Sequence, residues 1–323
     1  MPKPRITRDE FVELWKTHKS AQKIAEITGI DKRAIFRRRR LIERTTGAKL
    51  ENSLANGGHY HFLHPSPKNK ARHHLGIENG VVLVFSDAHF WPGIRSTAFR
   101  GLLWAINELR PKAIVNNGDA FDGANISRHP RIGWDSKPSV IQELQACEAS
   151  LSEIEEAAQG SKLVWSLGNH DARFENRLAN TVPEYMHVKG FKLADHFPKW
   201  VPCWSCWPTD HVVIKHRFKG GIHATHNNTV MSGVTTVTGH LHSLKVTPFA
   251  DYRGNRYGVD TGTLADVNGP QFTDYLEDNP VNWRSGFAVL TFHKGRLLWP
   301  ELVHVWDEHH VEFRGQIVNV ETL

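Results

Sequence analysis

The 323 residues are 40% hydrophobic and 23% charged, with a mean hydropathy of −0.44, the profile of a water-soluble globular chain. No apolar run approaches the roughly 20 residues of a membrane-spanning helix, the start Met1-Pro2-Lys3-Pro4-Arg5 leads into a polar helix rather than a signal core, and three cysteines make no disulfide framework. The expectation is a cytoplasmic protein with no membrane partner. Charge is unevenly spread: residues 1–50 carry 14 Lys+Arg against 6 Asp+Glu, whereas residues 51–323 carry 26 against 28. A basic module that meets a polyanion, joined to a near-neutral domain, accounts for that asymmetry.

In chain order, Thr7-Arg8-Asp9-Glu10 has capping-box spacing and starts a helix with Phe11, Leu14 and Trp15 on one face. Ser20 caps a second helix carrying Ala21, Ile24, Ala25 and Ile27, Gly29 breaks it, and Asp31 caps a third that runs through Arg44. This resembles helix-turn-helix DNA-binding modules, with Ala25 where the helices cross, Gly29 in the turn and Ile35 buried in the following helix. The resemblance implies a recognition helix exposing Lys32, Arg33, Arg37, Arg38, Arg39 and Arg40 to DNA. The module is assigned residues 1–45. Residues 46–79 read as a linker rich in breakers, with His59, His61, His64, His73 and His74 scattered through it.

From residue 80 a domain of alternating strands and helices follows. Residues 81–85 form a buried strand ending in Asp87-Ala88-His89; after a helix over 97–109, a strand at 113–115 ends in Gly118-Asp119-Ala120-Phe121-Asp122. A long helix over 139–158 precedes a strand at 163–167 that ends in Gly168-Asn169-His170-Asp171. Strand, helix, strand, helix, strand is the pattern of parallel crossovers, whose ligands sit beyond the carboxyl ends of the strands. Two more strands, 212–216 and 234–238, end in His216 and in Gly239-His240-Leu241-His242.

DxH, GDxxD, GNHD, a strand-terminal His and GHxH, in that order, resemble the calcineurin-like metallophosphoesterases over residues 80–300. The domain as a whole, including Arg128-His129-Pro130-Arg131 and Trp283-Arg284-Ser285-Gly286, is similar to bacteriophage members of that superfamily. The resemblance implies an α/β fold, a four-layer αββα sandwich over residues 80–323, with residues 246–323 (strands at 256–261, 286–292, 296–306 and 310–314) in its second sheet. It also implies two divalent ions roughly 3.5–4 Å apart. The mixed ligand types suit manganese, with iron or zinc as alternatives. By the family pattern Asp87, His89 and His242 hold the first ion, Asp119 bridges, and Asn169, His216 and His240 complete the second. His170 is the general acid, Asp171 fixes its tautomer, and hydroxide formed on the metals is the nucleophile. Where the family writes His-Gly this chain has His216-Arg217, so His223 and His226 remain rivals for that ligand.

Residues 123–137 form an insertion whose Arg128, His129 and Arg131 could hold a substrate phosphate or simply face solvent. Trp283, Trp299 and Trp306 read as core aromatics. Cys203-Trp204-Ser205-Cys206 lacks the second pair a zinc site needs and is assigned no function. The leading expectation is a phosphodiesterase or nuclease acting on DNA. The alternatives are a phosphatase of protein or small-molecule monoesters, and a DNA-binding regulator whose phosphoesterase domain has lost activity.

Overall fold

The computed structural model describes residues 6–50, 71–129, 137–276 and 279–323. The chain divides into two compact units, residues 1–66 and 67–323. In the first, helices α1 (Arg8–His18), α2 (Ala21–Thr28) and α3 (Lys32–Thr46) enclose Phe11, Trp15, Ile24 and Ile35. The termini form as the caps dictate. Thr7 and Glu10 exchange bonds, Ser20 accepts from Lys23 N, Gly29 turns with φ 68°, and Asp31 accepts from Arg33 N and Ala34 N.

The second unit is built on two sheets. Strands β2 (Gly80–Phe85), β3 (Ala113–Asn116), β4 (Lys162–Ser166) and β5 (Val201–Cys203) are mutually parallel. They are linked by helices α4 (Thr97–Leu109), α5 (Val140–Ala157) and α6 (Asp171–Thr181). Every side chain of β2 from Val82 to Phe85 is fully buried because the two faces serve different cores. Leu83 and Phe85 meet Phe99, Leu102 and Leu151 of the helical layer; Val82 and Val84 face Ile214, Val237 and Val259 of the other sheet. That second sheet contains β6 (Ser205–Thr209), β7 (Val212–Ile214), β8 (Thr235–Thr238), β9 (Lys245–Asp251) and β10 (Gly254–Asp260). Helix α7 (Ala224–Ser232) covers its outer face through contacts with β8, β9 and β10, which completes the αββα order.

Three expectations differ from what is found. Strand β1 (Arg72–His74) falls inside the stretch read as linker, yet it pairs with β6 in parallel; His73 and His74 are sheet residues, whereas His59, His61 and His64 lie outside the described residues. The C-terminal strands do not build the second sheet. β11 (Gly286–His293) pairs antiparallel with β2, and β13 (Glu301–Val305), β14 (His310–Phe313) and β15 (Gln316–Asn319) extend from it, so only β9 and β10 lie where expected. The expected strand at 296–306 is two, β12 (Arg296–Leu297) and β13, divided by Pro300. Trp299 and Trp306, which flank β13 at its two ends, are 59% and 62% exposed, not core.

Gly258 sets the spacing of α7 on its sheet: a methyl there would overlap the Thr225 carbonyl, and neither backbone can yield. Gly258→Ala should therefore lower stability by about 3 kcal/mol, as overpacking does, read as a shift of the urea midpoint.

Candidate metal centre and active site

The polar residues that follow the strands converge because the backbone turns sharply at them. Asp87, His89, Asp119, His240 and His242 all have left-handed φ, between 39° and 72°, a region that Asp and His visit more readily than most residues. The turns interlock: Asp87 N donates to Gly118 O at 2.8 Å and His89 N to Asp119 O at 2.9 Å. Gly168 and Gly239 let backbone pass where a Cβ would strike the carboxylates of Asp119 and Asp87.

Two groups result, each with ligand atoms within 4.8 Å of one another: Asp87, His89 and His242; and Asp119, His216 and His240. In the first, His242 Nε2 lies 3.0 Å from Asp87 Oδ1. In the second, His216 Nδ1 donates to Asn117 O at 2.7 Å. Its Nε2 lies 2.9 Å from Asp119 Oδ2 but out of line for a hydrogen bond. Asn169 Oδ1 and His242 Nδ1 are buried without partners beside these groups. Acceptor atoms this close, removed from water, repel unless a proton or a metal cation lies between them. Burial opposes charging of His216, yet Asp119 and Asp87 outweigh it and push its pKa up to about 10. Burial likewise resists ionisation of Asp87, but His242 and His216 bring it down to about 2. Imidazole, carboxylate and amide oxygen together make a donor set suited to a transition-series divalent ion, so these residues fit a metal.

A third group joins His89, Asp122 and His170. Asp122 Oδ1 accepts from His89 Nδ1 and from His170 Nδ1, each at 2.8 Å. Those bonds hold it, against its burial, far below the ordinary carboxylate range. One carboxylate oxygen thus orients a candidate ligand and the candidate acid together. The role expected of Asp171 falls to Asp122. Asp171 opens α6, and its carboxylate accepts from the backbone of Asp119, Ala120, Phe121 and Gly168 and from Trp165 Nε1, so it faces away from His170. Burial counts against a charged His170, but Asp119 and Asp122 raise it above the usual imidazole range.

Arg173 was not anticipated. Its guanidinium donates to Asp122 O at 2.9 Å and to His170 Nε2 at 3.1 Å. The signal was present in the sequence, since residue i+3 shares a helix face with His170. Arg128 and His129 are exposed and bond none of the residues above, and Arg131 lies outside the described residues. His216 lies with Asp119 and His240 in the second group, whereas His223 is exposed at the start of α7 and His226 packs on Phe249. Trp283, expected in the core, stands 4.5 Å from the His242 ring and packs on Phe272 of α8 (Pro270–Leu276).

On α3, the six expected cations divide. Arg38 donates to Ile6 O and lies over Phe11, while Arg39 pairs with Glu43 at 3.1 Å and lies over Trp15. Lys32, Arg33, Arg37 and Arg40 are exposed, and so is Arg44, which extends the same groove with Phe36 and Leu41.

The sequence model of the family described as calcineurin-like phosphoesterase matches residues 80–313. The Gene 54 protein of Mycobacterium phage L5 is 23% identical over 253 residues, spanning 69% of this chain and 93% of that protein. Among solved structures, Entamoeba histolytica Vps29 complexed with zinc aligns with a TM-score of 0.40 at 14% identity, over 74% of this chain and 99% of that one. An archaeal phosphodiesterase aligns with a TM-score of 0.36 at 14% identity, over 69% and 99%.

Two substitutions separate the buried carboxylates. Asp122→Asn should weaken Mn2+ binding in titration calorimetry by about 10–100-fold with little change in melting temperature. Asp171→Asn should instead destabilise the fold by about 3 kcal/mol, since several buried N–H donors lose their acceptor.

Proposed function

The chain belongs to the calcineurin-like phosphoesterase family, whose members are metal-dependent phosphoester hydrolases, and from that premise we propose that it cleaves a phosphodiester of DNA. The observation that carries the choice of substrate is the basic face of α3: Arg33, Arg37, Arg40 and Arg44 are exposed on one helix in the 50 residues that hold a net charge of +8. Helix α3 acts as the recognition helix of a helix-turn-helix, which residues 1–45 form, and it brings the catalytic unit, residues 80–323, to its polymer.

In this reading Asp87, His89, Asp119, Asn169, His216, His240 and His242 would hold the divalent ions, and manganese suits the set. When bound, such ions supply Lewis-acid stabilisation of charge at phosphorus and lower the pKa of a coordinated water. His170 is the general acid. Its Nδ1–H is fixed on Asp122, so Nε2, 3.9 Å from Asp119 Oδ2, is the atom that delivers a proton to the leaving oxygen. Arg173, which donates to that Nε2 in the free protein, turns onto a phosphate oxygen as substrate enters; the exposed Nε2 then takes up a proton from water, held on the imidazole by Asp122 and Asp119, and passes it to the leaving oxygen.

With Mn2+ the full chain should hydrolyse bis(p-nitrophenyl) phosphate and nick or degrade DNA, and chelation should abolish both. Turnover of monoesters with every DNA form left intact would refute the nuclease reading. His170→Ala should lower kcat on DNA by about 10²-fold or more, and by much less on a p-nitrophenyl ester, whose leaving group needs no proton. Arg37→Ala with Arg40→Ala should reduce the salt slope of duplex-DNA binding by about 1.8, from two lost phosphate contacts; an unchanged slope removes α3 from the interface.

A further inference from the structure

The segment between β7 and α7, where this chain departs from His-Gly, carries Lys215, Arg217 and Lys219 within five positions, beside the His216/His240 side of the centre. His240 is exposed and its ring lies 5.3 Å from that of His216, the residue directly before Arg217. Arg217 and Lys219 are exposed, and Phe218, 40% exposed, lies under the Lys215 ammonium at 4.7 Å.

The segment is held in place. Asn228 of α7, itself buried, accepts from Lys219 N at 3.0 Å and donates to Lys219 O at 3.2 Å. Lys245 Nζ donates to Ile222 O at 2.7 Å, and His216 O accepts from Gly239 N at 2.9 Å. Among the described residues no carboxylate pairs with Lys215, Arg217 or Lys219. This concentration of positive charge stands on residues 51–323, whose net charge is −2.

We propose that Arg217, Phe218 and Lys219 form a lip that grips single-stranded nucleic acid flanking the phosphodiester in the metal centre. The inference rests on the nucleic-acid reading of that centre. The two cations meet backbone phosphates, and Lys215 adds to their field. Phe218 offers a face to a base, which only an unpaired, unstacked base can meet; a duplex would present its phosphates alone. Cations interleaved with an exposed aromatic distinguish this surface from a general anion trap, for which the ring would be a liability in water.

Equilibrium anisotropy with a fluorescent single strand of about 12 nucleotides, on the full chain, tests the lip. Arg217→Ala with Lys219→Ala should weaken binding about tenfold or more and lower the salt slope by about 1.4, from two lost contacts on a single strand. Phe218→Ala should erode the preference for single strand over duplex by a factor of about 5 or more. All three side chains are at the surface, so melting temperatures should not move. Unchanged affinity and slope in the double variant overturn the lip, as does a Phe218→Ala protein with an unaltered preference. Equal competition by polyglutamate also overturns it, because that would mean charge attraction alone. Failure of the wild type to hydrolyse any phosphate ester with any divalent ion would instead defeat the catalytic reading. The anisotropy measurements need no turnover and decide the lip separately.

Discussion

Everything in the second unit is arranged around one electrostatic conflict: carboxylate and imidazole acceptors packed together out of water. Asp119 Oδ2 stands 2.9 Å from His216 Nε2 while the other nitrogen of that ring is committed to Asn117 O. Such a cluster is costly in itself, and the scaffold supports it at several levels. The two sheets bring five strand ends to one edge, left-handed residues turn the side chains inward, and Gly168 and Gly239 remove the methyl groups that would keep them apart. A cation resolves the conflict, and the same geometry selects for one.

Around that conflict, neighbouring carboxylates separate into distinct tasks by direction alone. Asp122 points into the centre and ties His89 to His170. Asp171, one position from His170, points the other way and gathers backbone N–H groups of the loop that carries Asp119. The first sets the orientation of imidazoles; the second sets the shape of a loop. Arg173 donates to His170, and Phe272 and Trp283 pack against His242, so both a cation and aromatic rings contact the histidines of the centre.

Charge is divided between the units in a way that suits a polyanionic substrate. The first unit spends Arg38 and Arg39 on its own packing and leaves Arg33, Arg37, Arg40 and Arg44 outward. The second, slightly acidic as a whole, is positive at the Arg217–Lys219 segment beside its ligand histidines. In the proposed reading, attraction at α3 would be long-ranged and independent of the chemistry, and attraction at the proposed lip would act next to it.

Much of this was legible in order along the chain. Caps, breakers and apolar runs are local properties, so the three N-terminal helices, strands β2 to β4 and the polar residues after them follow from the sequence. The chemistry of Asp87, His89, Asp119, Asn169, His240 and His242 was readable as ligand types at strand ends. Sheet membership was not: an antiparallel strand such as β11 reads alike whichever sheet it joins, and only its ladder along the edge of β2 places it there. Nor could spacing tell Asp122 from Asp171, or His216 from His223 and His226. Those choices rest on the direction of a side chain once strands distant in sequence are pressed together. Direction is decided by backbone φ and packing, which tertiary structure alone imposes.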